Sequence, residues 1–169
     1  MRVADLITLY DFNYWANARL MKVLDRLSDE ELTQKIGGGH DSIRSTLVHI
    51  MSAESGWLER CGGPARGPRL NPAEYPTLAS IRQAWAVLEQ KVRAFLGGLT
   101  DSDLDRQVRY SNDRGDVRQM PLGDLMQHAA NHGVHHKGQI SLMLRLIGYE
   151  PEDVDLLIYC GEKRGVPPW

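Results

Sequence analysis

Four stretches of this chain bring apolar residues back every three or four positions, a spacing that commits most of it to amphipathic helix. The first runs from about Val3 to Leu27, with Leu6, Leu9, Ala16, Leu20, Val23 and Leu27 on one stripe. The second follows "GGGHDS", where Asp41 or Ser42 can cap it; it carries Ile43, Leu47, Ile50 and Trp57 and stops at "CGGP". The third starts after Pro76 with Thr77 as cap and strings Leu78, Ile81, Trp85, Leu88, Val92, Phe95 and Leu99 along one seam. The fourth opens near Pro121, a good first-turn residue, and runs to Ile147 before "GYEP" breaks it. Four long helices of this kind predict an all-α four-helix bundle. The long connection between the second and third argues against a simple up-down-up-down order.

The connections read differently. "GGPARGPRLNPAEYP", rich in Pro and Gly, predicts an irregular surface link. In "RQVRYSNDRGDVRQM", Val108, Tyr110 and Val117 flank an "NDRG" turn, so a short two-stranded excursion is expected before the fourth helix. The segment "PEDVDLLIYCGEKRGVPPW" has room for one short helix and a tail. With 169 residues and no internal repeat, residues 1–169 are expected to form a single domain.

A net charge of −2, with basic residues scattered, gives no footprint for nucleic acid or an anionic membrane. Acids and asparagines interrupt the N-terminal apolar run, which therefore predicts neither a signal peptide nor a span. Cys61 and Cys160 stand far apart in no CxxC pairing, so neither a disulfide framework nor a zinc-thiolate site is expected. A reduced, cytoplasmic setting is the expectation.

Four of the six histidines crowd into "HAANHGVHHKGQI", residues 128–140. Counting sevens separates them. Leu122, Ala129, His136 and Met143 form one row and Leu125, His132 and Gln139 its neighbour, so His132 and His136 face the core one turn apart. His128 and His135 fall on the flank. Two buried imidazoles side by side need partners for their ring nitrogens and cannot both be protonated cheaply, whereas a divalent cation accepts neutral imidazole readily. The third helix offers no further ligand. The second offers His49, with the small Ser45, Thr46, Ser52 and Ala53 one turn away. Asn13 or Asn17 on the first helix could hydrogen-bond a ligand or a metal-held water. His40, in a Gly-rich loop, reads as a surface or capping residue, and Trp15, Trp57 and Trp85 as core or rim packing. The residues alone leave open whether the histidine pair holds a metal or is an ordinary core pair.

Other schemes fail. Gly133 stands where the zincin pattern requires Glu, and the paired Glu-x-x-His of di-iron bundles does not occur. No phosphate-cradling loop, nucleophile elbow or catalytic Cys/His arrangement is present.

"YWAN" at Tyr14–Asn17, "LVHIMSAESGWL" at Leu47–Leu58, "NHGVHHKGQI" at Asn131–Ile140 and the late "PEDVDLLIY" together resemble the DinB-like (damage-inducible) superfamily of metal-binding four-helix bundles. The resemblance spans nearly the whole chain. It implies a divalent-metal site on His49, His132 and His136, the three positions also reached by counting. The chain departs from the pattern at Lys137, where Arg is usual. Three neutral imidazoles leave open positions on the metal, a catalytic layout. Characterised relatives use a low-molecular-weight thiol, so the resemblance implies a thiol-dependent S-transferase acting on a small-molecule electrophile, with Asn13, Asn17 or Tyr14 orienting it. A stress-associated metal binder without turnover and a metal-dependent hydrolase are the alternatives. Zinc, nickel or iron would suit imidazole. No general base can be named. A homodimer is implied by the resemblance alone.

Overall fold

Ser28, Ser42 and Thr77 each stand where a helix begins, and their hydroxyls accept from the backbone N–H three residues on, at 3.1–3.2 Å. The structure, a computed structural model, describes residues 1–37, 40–63, 67–111 and 114–166. The elements are α1 (Val3–Leu24), α2 (Asp29–Thr33), α3 (Ile43–Gly62), α4 (Leu78–Gly97), β1 (Gln107–Ser111), β2 (Val117–Pro121), α5 (Leu122–Leu146) and α6 (Leu156–Lys163). Short 3-10 turns occupy Pro72–Glu74 and Asp101–Asp105.

The four expected long helices are α1, α3, α4 and α5, and they form a bundle. Helix α1 stops three residues earlier than its stripe predicts. Ser28 and Glu31 form a reciprocal capping box that starts the unforeseen α2, and the chain must turn to enter it. Of the two caps proposed for α3, Ser42 is the one used; Asp41 has φ 64°, in the left-handed region. Pro121 sits one residue before α5 rather than in its first turn.

The predicted excursion is an antiparallel ribbon, β1 on β2, with Val108 opposite Met120 and Tyr110 opposite Arg118. Of the ribbon's residues only Val108 is buried, with Tyr110 packed partly buried against the core, which explains the weak alternation in sequence. Asn112 and Asp113 of the proposed turn lie outside the described residues, as do Pro64 in the link and the last three residues of the tail. Residues 67–76 of that link are irregular apart from the turn at Pro72–Glu74.

Helices α1 and α3 each pack on both α4 and α5, so the ring order is α1–α4–α3–α5. Departure from simple up-down order therefore lies in the α1-to-α3 and α4-to-α5 connections, which join diagonal partners. The long α3-to-α4 link joins neighbours. Leu6, Tyr10, Leu24, Leu47, Ile50, Ile81, Val92, Leu125 and Ile140 fill the centre. Tyr159 of α6 packs separately on Phe12 and Ala16, giving α1 a second buried face. No described helix is long and apolar enough to cross a membrane.

Candidate metal centre

In α5 the buried stripe runs through Leu122, Leu125, Met126, Ala129, Gly133, His136, Lys137, Ile140 and Met143. Its axis passes one position later than the sequence count through His132 suggests. His136 is buried, His132 is half-buried at the stripe's edge, and His128 and His135 are exposed, as their flanking positions predict. His49, half-buried on α3, faces them.

The structure brings the three predicted residues together. His49 Nε2 and His136 Nε2 each lie 3.1 Å from His132 Nε2. Two nitrogens on one divalent cation at about 2.0–2.1 Å stand roughly 3.0–3.4 Å apart when adjacent, so this spacing fits a shared ion. The tautomer of His136 fits too. Its Nδ1 lies 2.7 Å from Gln139 Oε1, an acceptor, so the ring proton belongs on Nδ1 and the Nε2 lone pair is free. Gln139 Nε2 is in turn 3.3 Å from His135 Nε2. His132 Nδ1 is buried with no hydrogen-bond partner among the described residues.

His40, read from sequence as a surface or capping residue, is instead half-buried among the site histidines. The ring of His40 stacks on that of His49, centroids 3.7 Å apart at 25°, and lies 5.3 Å from that of His136. A nitrogen of His40 falls with those of His49 and His136 in a set no wider than 4.8 Å. Two overlapping triads can thus be drawn, one through His132 with two contacts of 3.1 Å, the other through His40 with all its nitrogens within 4.8 Å of one another. No periodicity links a loop residue to a helix face, so the sequence carried no signal for its position.

The surroundings hold the imidazoles neutral. Burial, then the other histidines and Arg69, push His49 down to about 4; burial, then His136 and His49, push His132 down to about 3. Burial also lowers His136, against the opposing pull of Gln139, and lowers His40. The unfolded chain, with both groups near 6.5, binds more protons across this window. The metal-free protein is therefore expected to lose stability as pH falls from 6.5 towards 4. Thermal melts in chelator should show a shallower pH slope for His132→Phe than for wild type. Equal slopes between pH 6.5 and about 5 would show that these rings do not carry the effect.

Beside the histidines opens a cavity of about 260 Å³, lined by His49, His132, Trp57, Arg60, Arg69 and Tyr110 among others. Trp57 meets Tyr110 edge-on at 5.2 Å, and the Arg60 guanidinium lies 4.6 Å above the Trp57 ring. Ser52, one of the small residues flanking His49, also lines it and accepts from the Leu70 backbone, pinning the α3–α4 link there. A larger cleft of about 360 Å³ between α1 and α4 has no histidine in its wall.

The residues expected to orient a ligand are engaged elsewhere. Asn13 Oδ1 accepts from Lys137 Nζ, and the Tyr14 hydroxyl donates to Glu54. Asn17 lines the α1–α4 cleft, with its Oδ1 buried and unpartnered among the described residues. Lys137 and Glu54 are core residues, 1% and 3% exposed, that no apolar stripe could announce. Gly133 also finds its reason here: a Cβ would stand 3.0 Å from Asn13 Oδ1 and 3.4 Å from Lys137 Nζ. Trp85 is core packing, as expected, while Trp57 lies at the cavity rim.

The profile of the DinB family matches residues 1–164. The chain is similar to Protein DinB of Bacillus subtilis (strain 168), 27% identical over 158 residues, covering 89% of this chain and 91% of that one. Its fold resembles that of a DinB-like protein from Bacillus cereus ATCC 10987, with TM-score 0.64 and 22% identity, over 91% of this chain and 98% of the other. It also resembles YfiT from Bacillus subtilis, described as a probable metal-dependent hydrolase with an unusual four-helix bundle topology. There the TM-score is 0.58 and the identity 19%, over 86% of each chain.

Proposed function

The chain belongs to the DinB family, and from that membership we propose that it is a divalent-metal enzyme that directs a low-molecular-weight thiol at a small electrophile. The observation carrying this reading is the approach of His49 and His136 Nε2 to His132 Nε2, beside a cavity that His49 and His132 line. A divalent cation held by these residues would supply Lewis acidity, less reduced by neutral imidazoles than by anionic ligands, suited to stabilising a thiolate or polarising a carbonyl.

The chain's own residues do the rest. Gln139 fixes the His136 tautomer, and burial keeps His49 and His132 unprotonated and ready to ligate. Trp57 and Tyr110 offer aromatic walls against which a substrate can lie, and Arg60 and Arg69 bring guanidinium groups to the same cavity. Free Cys61 and Cys160 suit the reducing cytoplasm in which such a thiol is available.

Hydrolysis is the second reading, supported by the likeness to YfiT. The two separate on assay of protein loaded with zinc or nickel. Conjugation of one of several thiols to an activated halide, lost in His49→Ala, is the expected result. Ester or amide cleavage without thiol would move the assignment to hydrolase. Absence of metal-dependent turnover on all of these would leave a binding protein.

A further inference from the structure

We propose that His40 is a fourth, displaceable protein ligand of this centre, delivered by the loop that precedes α3. The inference rests on the metal reading above and goes beyond it, by assigning a protein nitrogen to a position that three helical histidines leave open.

The geometry of the loop supports it. Ile36 N and Gly37 N both donate to Asp41 O, at 2.8 and 3.3 Å, and Ser42 N donates to His40 O at 2.8 Å. Gly37 and Asp41 adopt positive φ, 100° and 64°, so the chain reverses tightly at the loop's base. That closed base holds the His40 side chain against His49 rather than out in solvent, and the ring is half-buried there.

Distances set how far it must travel. Two nitrogens held at about 2.1 Å from one four-coordinate ion stand about 3.4 Å apart. The His40, His49 and His136 nitrogens already lie within 4.8 Å of one another. A closure of about 1.5 Å or less brings His40 into range. His49, His132 and His136 project from helices packed in the bundle and cannot withdraw without disturbing it. His40 projects from a loop and can. An incoming ligand therefore displaces His40, with one metal–nitrogen bond broken as one new bond forms and no net change in oxidation state.

Simple stacking of His40 on His49 is the competing explanation, and His40→Phe separates the two because it keeps a flat ring but offers no nitrogen. X-ray absorption on the zinc-loaded protein is expected to count four imidazoles in wild type and three in both His40→Ala and His40→Phe. Zinc affinity, by chelator competition, should fall about tenfold or more in both variants. Azide binding to the cobalt-loaded protein should move the opposite way and tighten, because azide no longer displaces an imidazole. Three imidazoles in wild type, or wild-type zinc and azide affinities in His40→Phe, would overturn the proposal while leaving the three-histidine site intact. A wild type that takes up no cation would overturn both.

Discussion

Replacing His132 with alanine is expected to abolish tight cation binding while leaving the fold in place. His132 Nε2 is the middle member of the cluster, 3.1 Å from both His49 and His136 Nε2, so its loss removes the nitrogen that joins them and leaves only the looser His40, His49 and His136 set, spread over as much as 4.8 Å. Outer-shell partners alone command roughly 10–100-fold in affinity, and a direct ligand should exceed that. Calorimetry with zinc should show one site in wild type and none in the variant at comparable concentrations. Stability supplies a second readout. A cation at 100 times its Kd stabilises the folded state by about 2.7 kcal/mol, and that increment should vanish. The metal-free proteins should differ little, because His132 is half-buried and the change also removes an unpartnered buried Nδ1. Wild-type zinc affinity in His132→Ala would place the metal elsewhere.

The second large effect concerns the core beneath the site. Glu54 accepts from the Tyr14 hydroxyl at 2.5 Å and the Trp85 indole N–H at 2.9 Å, and its charge faces that of fully buried Lys137. Burial raises Glu54 and pulls Lys137 down to about 7, while the two attract each other towards their charged forms. Glu54→Ala strands two donors and leaves the lysine uncompensated, and is expected to cost about 3–5 kcal/mol at pH 6 in denaturant melts of metal-free protein. The sign with pH follows from linkage. Unfolded Lys137 titrates near 10.5 and the folded group at or below about 7, so the unfolded chain binds more protons between those values. Stability of the variant should therefore recover as pH rises from 6 to 9, more than in wild type. Adding Lys137→Met to Glu54→Leu should restore much of what either single change loses, because a buried pair replaced whole by apolar groups is often neutral. Strictly additive losses would show that Glu54 and Lys137 do not act on each other.

Much of this molecule was legible because helical order is local. The α4 seam from Ile81 through Trp85, Leu88 and Val92 lies in the core as its spacing predicts, and the caps at Ser42 and Thr77 can be read from adjacent residues. The same locality placed His132 and His136 on one side of α5, four residues apart. Other features ran against the local signal. Lys137, noted in sequence only as a departure from the usual Arg, sits in the buried stripe, where Asn13 and Glu54 from two other helices answer its charge. Asn13 has the right polarity to orient a ligand but is taken by that lysine.

The amino-acid order by itself determined where the four helices run, which faces they bury, and that His132 and His136 share one side of α5. Those properties depend on a period of 3.6 residues and on neighbours within a few positions. Only the tertiary structure decided the ring order α1–α4–α3–α5, the pairing of Glu54 with Tyr14 and Trp85, and the return of the loop that lays His40 on His49. Each of these joins groups separated along the chain, and which distant groups meet is set by how the helices pack and the loops close, information that no local spacing carries.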